Sequence, residues 1–207
     1  MLKIRPATDA DREAIWKIFH EVIAAGDTYP FDPQMSREDA LAYWFRKDAH
    51  TYVAEQDRPA SRPEGSRLDQ SAVSPSSFHE DHSPIASTVT EGAARQGRVR
   101  RHVVGTYLLR PNWSGPGSHV ANAAFMVAPV ARGQGIGRAM GDHCLSEAQR
   151  VGFRAMQFNF VVSTNERAVK LWQCLGMKII GTLPGAFRHP EKGYVDVYVM
   201  FRSLDEI

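Results

Sequence analysis

The densest chemical signal in the chain is the run Val127-Ala128-Pro129-Val130-Ala131-Arg132-Gly133-Gln134-Gly135-Ile136-Gly137-Arg138. An apolar strand passes here through a glycine-rich turn into an amphipathic helix. Glycines at 133, 135 and 137 remove side chains where a ligand must approach the backbone. The first N–H groups of the following helix lack intrahelical partners, and the helix dipole favours negative charge at that end. Such a run predicts a cradle for a diphosphate.

Three kinds of glycine loop bind diphosphates, and the flanking residues separate them. A P-loop requires Gly-Lys-Ser/Thr, whereas Gly137 is followed by Arg138-Ala139, which disfavours nucleotide hydrolysis. A dinucleotide fold places GxGxxG after its first strand and an acid about twenty residues later. Here the loop is late in the chain, and the next strand closes on Val161-Val162-Ser163. A coenzyme A diphosphate site fits the pattern best.

A second run, Asn165 to Met177, carries Ala168, Leu171, Trp172 and Leu175 at the spacing of one packed helix face. Ser163 and Glu166 have the spacing of a capping box at its start. Among titratable groups, His119, His143 and His189 are candidate bases, each with a structural or solvated reading beside it.

The elements that must position these residues follow from periodicity and punctuation. Leu2 to Arg5 reads as a strand stopped by Pro6, and Thr8 as the cap of a helix with Ile15, Ile18, Phe19, Val22 and Ile23 on its inner face, ending near Gly26. Ser36 caps a second helix containing Leu41, Tyr43, Trp44 and Phe45. Strands are expected at 51–54, 102–109, 120–127, 155–161, 178–181 and 194–201, with helices at 135–151 and 165–175. The order is that of an α/β protein with a mixed sheet, one domain over 1–207. Residues 57–99 are rich in Ser, Pro, Arg, Glu and Gln without sustained period, and are expected to be a disordered insertion.

Composition excludes several classes. A formal charge of +2 from 25 basic and 23 acidic residues implies no polyanion-binding surface, and no nucleic-acid partner is expected. The cluster Arg95, Arg98, Arg100 and Arg101 reads as a solvated flank of the insertion. Cys144 and Cys174 lie in helical patterns without metal-ligand or disulfide spacing, so both are expected to be buried thiols and no metal site is expected. No apolar run suffices to span a bilayer, and the start lacks a signal-peptide core; a soluble, cytoplasmic protein without membrane contact is expected.

The two runs together resemble the Gcn5-related N-acetyltransferase (GNAT) superfamily. Arg132, Gly135 and Gly137 match its Gln/Arg-x-x-Gly-x-Gly/Ala signature, and Asn165 to Met177 is similar to its Asn-x-x-Ala-x-x-Leu-Tyr-x-x-x-Gly-Phe element. The resemblance implies a mixed, mostly antiparallel sheet of about seven strands with a splayed central parallel pair, and about four helices. It implies acetyl-CoA as cosubstrate, held by Met126, Val127, Arg132, Gly133, Gln134, Gly135, Ile136, Gly137, Arg138 and Asn165. The N–H near Met126 or Val127 would polarise the acetyl carbonyl, and Asn165 would either bond the pantetheine arm or close its helix. Trp172 stands where the family often has a tyrosine that protonates the leaving thiolate, and an indole cannot do this. Tyr198 and solvent are the substitutes to consider. A homodimer is expected by analogy.

A closer similarity is to the yeast-type acetyltransferases that detoxify proline analogues. It rests on Leu109-Arg110-Pro111-Asn112, on His119 to Phe125 and on Phe158 to Asn165. It implies roles in catalysis and in holding the substrate carboxylate for Asn122 and Asn159. An unsatisfied amide on the apolar strand around Asn159 would cost roughly 1–3 kcal/mol, so Asn159 must meet a ligand or the backbone. The acceptor expected is the amine of a small amino or imino acid. An α-amine, with a pKa of about 7.7–8.0, is partly neutral at pH 7 and needs less from a base than a lysine. Phosphinothricin-type enzymes share the opening Ile4-Arg5-Pro6-Ala7-Thr8 and Asp196-Val197, which makes that substrate the alternative, followed by a protein or peptide amine.

Overall fold

The computed structural model describes residues 1–58 and 100–205. Apart from Asp57 and Arg58, which end a strand, the insertion expected over 57–99 lies outside the described residues.

Pro6, which has no N–H to give a ladder, ends β1 (Leu2–Pro6), and β1 lies antiparallel to β2 (His50–Arg58) with Leu2 opposite Gln56. A 3-10 turn over Asp9–Asp11 follows, in which the Asp11 carboxylate accepts from the Thr8 N–H at 2.7 Å, the Thr8 hydroxyl at 2.9 Å and Arg5 at 2.8 Å. The Arg5 bond, ahead of those from Thr8, holds the Asp11 carboxyl down at about 2. This knot fixes the entry of α1 (Arg12–Ile23), which buries the expected Ile15, Ile18, Phe19, Val22 and Ile23. Gly26, at φ +63°, turns the chain away from it. Ser36 then caps α2 (Arg37–Trp44) by accepting the Asp39 N–H at 3.0 Å.

β3 (Arg100–Pro111) and β4 (Val120–Val127) form an antiparallel pair, α3 (Ile136–Arg150) crosses over, and β5 (Ala155–Val162) returns parallel to β4. α4 (Glu166–Cys174) leads to the hairpin of β6 (Lys178–His189) and β7 (Gly193–Ser203). The sheet has seven strands in the order β1-β2-β3-β4-β5-β7-β6. This is the expected mixed α/β plan, with four α-helices among the described residues.

Three local expectations are corrected. β6 runs to His189 rather than stopping near Gly181, because register shifts at Ile179/Gly181 and Leu183/Phe187 let Pro184 sit in the strand without owing it a hydrogen bond. α4 is capped by Asn165 and not by Ser163, whose N–H is held by the Asp196 carbonyl at 3.0 Å as a continuation of the sheet. Cys144 is buried as expected, but Cys174 is exposed, since it lies off the face that carries Trp172 and Leu175.

The feature that matters for function is where β4 and β5 stop pairing. Only Val120 with Ala155 and Ala121 with Met156 are in register, and beyond them the two strands diverge. β5 is held away by β7, and the β5–β7 register itself shifts between Phe158 and Val161, around Asn159 and Phe160. A bulge bends and twists the strand that carries it. Backbone groups on the facing edges of β4 and β5 are thereby left open to a cleft.

Candidate active site

On the α3 side the cleft is a groove of about 530 Å³, walled by Met126, Val127, Arg132, Gly133, Gly135, Ile136, Gly137 and Asn165 among others. Gly133 and Gly135 adopt φ of +81° and +77°, and a Cβ built on either would meet no protein atom within 4 Å. Their side-chain absence serves the backbone turn and an open space rather than protein packing. Gly135 is the N-cap of α3, and the first intrahelical bond runs from the Ala139 N–H to the Gly135 carbonyl at 3.1 Å. The N–H groups of Ile136, Gly137 and Arg138 therefore have no intrahelical acceptor and face the helix entrance. With the exposed Arg132 beside them, these amides fit a diphosphate.

Gln134 and Arg138 are not among the groove's lining residues; Gln134 donates to the Val130 carbonyl at 3.3 Å and Arg138 lies 3.7 Å from Asp142. Met126 lines the groove, but its side chain is in the core at 1 % exposure. Asn165 accepts the Ala168 N–H at 3.2 Å and borders the groove as well, so it closes the helix and faces the cleft at once.

Next to the groove is a smaller chamber of about 220 Å³ that shares Thr28, Tyr29, Phe125, Asn165 and Ala168 with it. Asn122 and Asn159 both line this chamber. Asn159 meets neither a backbone group nor solvent alone: it donates to the Asn112 side chain at 2.6 Å and accepts from Gln157 at 2.8 Å. Asn112 is buried at 6 % exposure, and its own amide nitrogen has no partner. The chamber's aromatic wall includes Phe125, Phe158 and Trp172, with Trp172 4.8 Å from Phe125 and 4.9 Å from Phe158 between ring centroids. Trp172 thus packs the base of the splay.

Where groove and chamber join, one side chain absent from the sequence reading stands out. Tyr29, in the segment between α1 and α2, uses its hydroxyl to accept the Phe125 N–H at 3.1 Å and to donate to the Phe125 carbonyl. Burial pushes the Tyr29 phenol up, against the opposing bond to Phe125. No local pattern could have signalled it, because the partners are 96 residues apart.

These bonds also define which β4 amides face the cleft. Ala128 donates back to Val104 on β3, and Phe125 points to the open edge, so strand alternation turns Val127 to the open edge and Met126 toward β3. Of the two expected donors, the Val127 N–H is the one aimed into the groove.

Of the other candidates, only His189 reaches the cleft. His119 is exposed and bonds the Pro116 carbonyl at 3.0 Å, while His143 sits against the Tyr107 hydroxyl at 2.6 Å on the far side of β3 and β4. Neither lines the cleft; His189, at the end of β6, does. Tyr198 borders neither space. Among the described residues no group of three or more His, Cys, Asp or Glu could hold a metal ion, and no helix is long and apolar enough to cross a membrane.

Comparison with known proteins agrees with this architecture. The chain is 39 % identical to a GCN5-related N-acetyltransferase from Kribbella flavida over 98 % of this chain and 97 % of that one, with a TM-score of 0.74. It is 28 % identical to the N-acetyltransferase aca1 of Schizosaccharomyces pombe over 89 % of this chain and 77 % of that protein. A phosphinothricin acetyltransferase from Sinorhizobium meliloti, solved in complex with acetyl-CoA, shares the fold at a TM-score of 0.69 and 18 % identity, covering 99 % of this chain and 89 % of that one. The model of the acetyltransferase (GNAT) family matches residues 55–177. The splayed β4–β5 pair and the glycine-rich entrance to α3 are therefore those of an acyltransferase, and the chain belongs to the acetyltransferase (GNAT) family.

Proposed function

We propose that the protein transfers an acetyl group from acetyl-CoA to the amine of a small acceptor, an amino or imino acid. The observation that carries this reading is the adjacency of the two spaces: a groove ending on free helix N–H groups shares Thr28, Tyr29, Phe125, Asn165 and Ala168 with a chamber of about 220 Å³. That volume is below the ~300–1,000 Å³ of sites for drug-sized ligands, which favours a small acceptor over a peptide.

Arg132 and the amides at Ile136, Gly137 and Arg138 hold the diphosphate in this reading, and the open edge of β4 pairs with the pantetheine arm. Acetyl-CoA supplies the acetyl group as an activated thioester. The Val127 N–H donates toward the acyl oxygen, where negative charge develops, and a fixed donor there acts without reorganisation. Asn122 and Asn159 orient the acceptor so that its neutral amine faces the junction. No carboxylate lines the chamber among the described residues, so an amine that arrives neutral is favoured; an α-amine meets this more readily than a lysine, whereas an imino acid, being more basic, needs more help from a base, for which His189 in the adjoining groove is the candidate.

Phosphinothricin is the second acceptor to test, on the likeness to the Sinorhizobium meliloti enzyme. The Asp196-Val197 pair adds little to that case, because the fold uses both: Asp196 accepts the Gly185 N–H at 2.9 Å and Val197 is fully buried. Incubation with acetyl-CoA and a panel of amino acids, proline analogues and phosphinothricin is expected to release free thiol with a small amino or imino acid. Release only with peptide amines, or with none, would overturn the acceptor assignment.

A further inference from the structure

Of all the described side chains that line the smaller chamber, only Arg110 is charged. Its position follows from the strand register. Arg110 on β3 lies opposite Asn122 on β4, and Leu108 lies opposite Ala124; all four line the chamber. Residues two apart on a strand, and partners directly across it, share a face of the sheet. Asn112 is two residues beyond Arg110 on that face and receives Asn159 from β5. One face of the splay therefore gathers a guanidinium and three amides.

These groups are mostly donors still to be used. Arg110 makes one hydrogen bond, through Nη1 to the neighbouring Pro111 carbonyl at 3.0 Å, and no ion pair among the described residues. Asp48, whose carboxylate feels the Arg110 charge weakly, is paired with Arg46 instead. The buried Asn112 amide nitrogen has no partner at all. A buried amide donor left unpaired costs about 1–3 kcal/mol, and a half-buried guanidinium without a counter-charge is similarly unsatisfied. An anion in the chamber would answer the guanidinium; Asn112 does not line the chamber and bears on it only through its bond to Asn159. Aromatic walls complete a site for a molecule with a short apolar body and one anionic end.

We infer that Arg110 anchors the carboxylate of the acceptor, so that the chamber selects amines that carry a free acid and turns their nitrogen toward Tyr29 and Phe125. The inference rests on the acetyl-transfer reading above and adds the determinant of acceptor choice. Asn122 and Asn159, to which the resemblance assigns catalysis and the carboxylate, then border the body of the acceptor instead, and the guanidinium, through two parallel N–H groups, matches the planar carboxylate. The diphosphate cradle at α3 is a separate cation-lined site and is not involved.

The test compares the amino acid that is acetylated best with its carboxamide, in the full-length protein and in Arg110→Met and Arg110→Lys. A charge-assisted bond worth about 1.5–3 kcal/mol predicts a ten- to hundred-fold fall in kcat/KM from acid to carboxamide in the unmodified protein, both expressed per neutral amine because the free carboxylate makes its own amine more basic. Arg110→Met is expected to lose that factor on the acid, chiefly through KM, and several-fold less on the carboxamide, whose carbonyl accepts only an ordinary hydrogen bond. Arg110→Lys should fall between, and acetyl-CoA affinity by calorimetry should be unchanged in both. Equal use of acid and carboxamide by the unmodified protein, or equal loss on both in Arg110→Met, would overturn the inference. Turnover confined to uncharged amines would also overturn it while leaving acetyl transfer intact. Failure of acetyl-CoA to bind at all would instead sink the transferase reading, and the inference with it.

Discussion

Tyr29 joins the α1–α2 segment to β4 through a single hydroxyl that serves both polar groups of Phe125. Removing it leaves an N–H and a C=O facing the cleft without that partner. Tyr29→Phe is therefore expected to lower stability by about 1–3 kcal/mol in chemical denaturation, with acetyl-CoA affinity largely retained. A variant as stable as the parent would show that solvent replaces the hydroxyl. At this scale the sequence was informative where function needs a local pattern and silent where it does not. The turn at Gly133 and Gly135 was legible because it is local, whereas the local pattern pointed to Ser163 as the cap of α4 and only the likeness to a family pointed to Asn165. Tyr29, Arg110 and the Asn112–Asn159 bond were not legible, because each acquires its meaning from a strand that lies far away in the chain.

Among the elements, α3 and α4 must pack closely enough for the one to present its N-terminus and the other to wall the cleft. Gly141 permits this: a Cβ there would lie 2.4 Å from Leu175 Cδ1 and 3.2 Å from the Trp172 ring. Both neighbours are buried, so a larger side chain has to push the Leu175 methyl end and the Trp172 ring out of their packed positions. Gly141→Val should destabilise the protein by about 1–3 kcal/mol, in spite of valine's better helix propensity, and should disturb the Trp172 near-ultraviolet signal. An unchanged midpoint and spectrum would mean that α4 can shift freely. The helices themselves were readable from their 3.6-residue periods, and β4 was bounded correctly by its flanking turns. The length of β6 was not: Pro184 and Gly185 look like a loop in sequence, and only the register shifts reveal a strand that bulges around them.

Across the whole molecule, stability should depend on pH through groups remote from the cleft. Burial lowers the His143 pKa below its ordinary 6.5, despite the attraction of Glu147. The folded state thus disfavours the protonated imidazole; its stabilising contribution is complete above pH 6.5 and lost as pH falls through the lowered folded value. Glu147 is held at about 2, first by Arg150 and then by Tyr52, and Asp11 at about 2 by Arg5. Their contributions are present above the ordinary carboxylate range and vanish as pH falls toward 2. Denaturation followed from pH 8 downward should show a plateau, a first decline below pH 6.5 that His143→Gln removes, and a steeper one in the carboxylate range. A first decline that persists in His143→Gln would place its origin elsewhere.

Over the described residues the order of elements and the mixed sheet were legible, because each strand and helix carries its own period and punctuation. The splay of β4 from β5, which turns that sheet into an enzyme, was available only through likeness to a family. It depends on the bulge around Asn159 and on β7 drawing β5 aside, and neither is written in a local pattern. The central claim is that the backbone amides entering α3 grip the diphosphate of acetyl-CoA. Gly135→Asp tests it most directly, by placing a carboxylate where φ is +77° and an anion must sit. Calorimetric titration of acetyl-CoA should give clear saturable binding to the parent and none to the folded variant; equal affinity in the two, or no binding to the parent, would contradict the account.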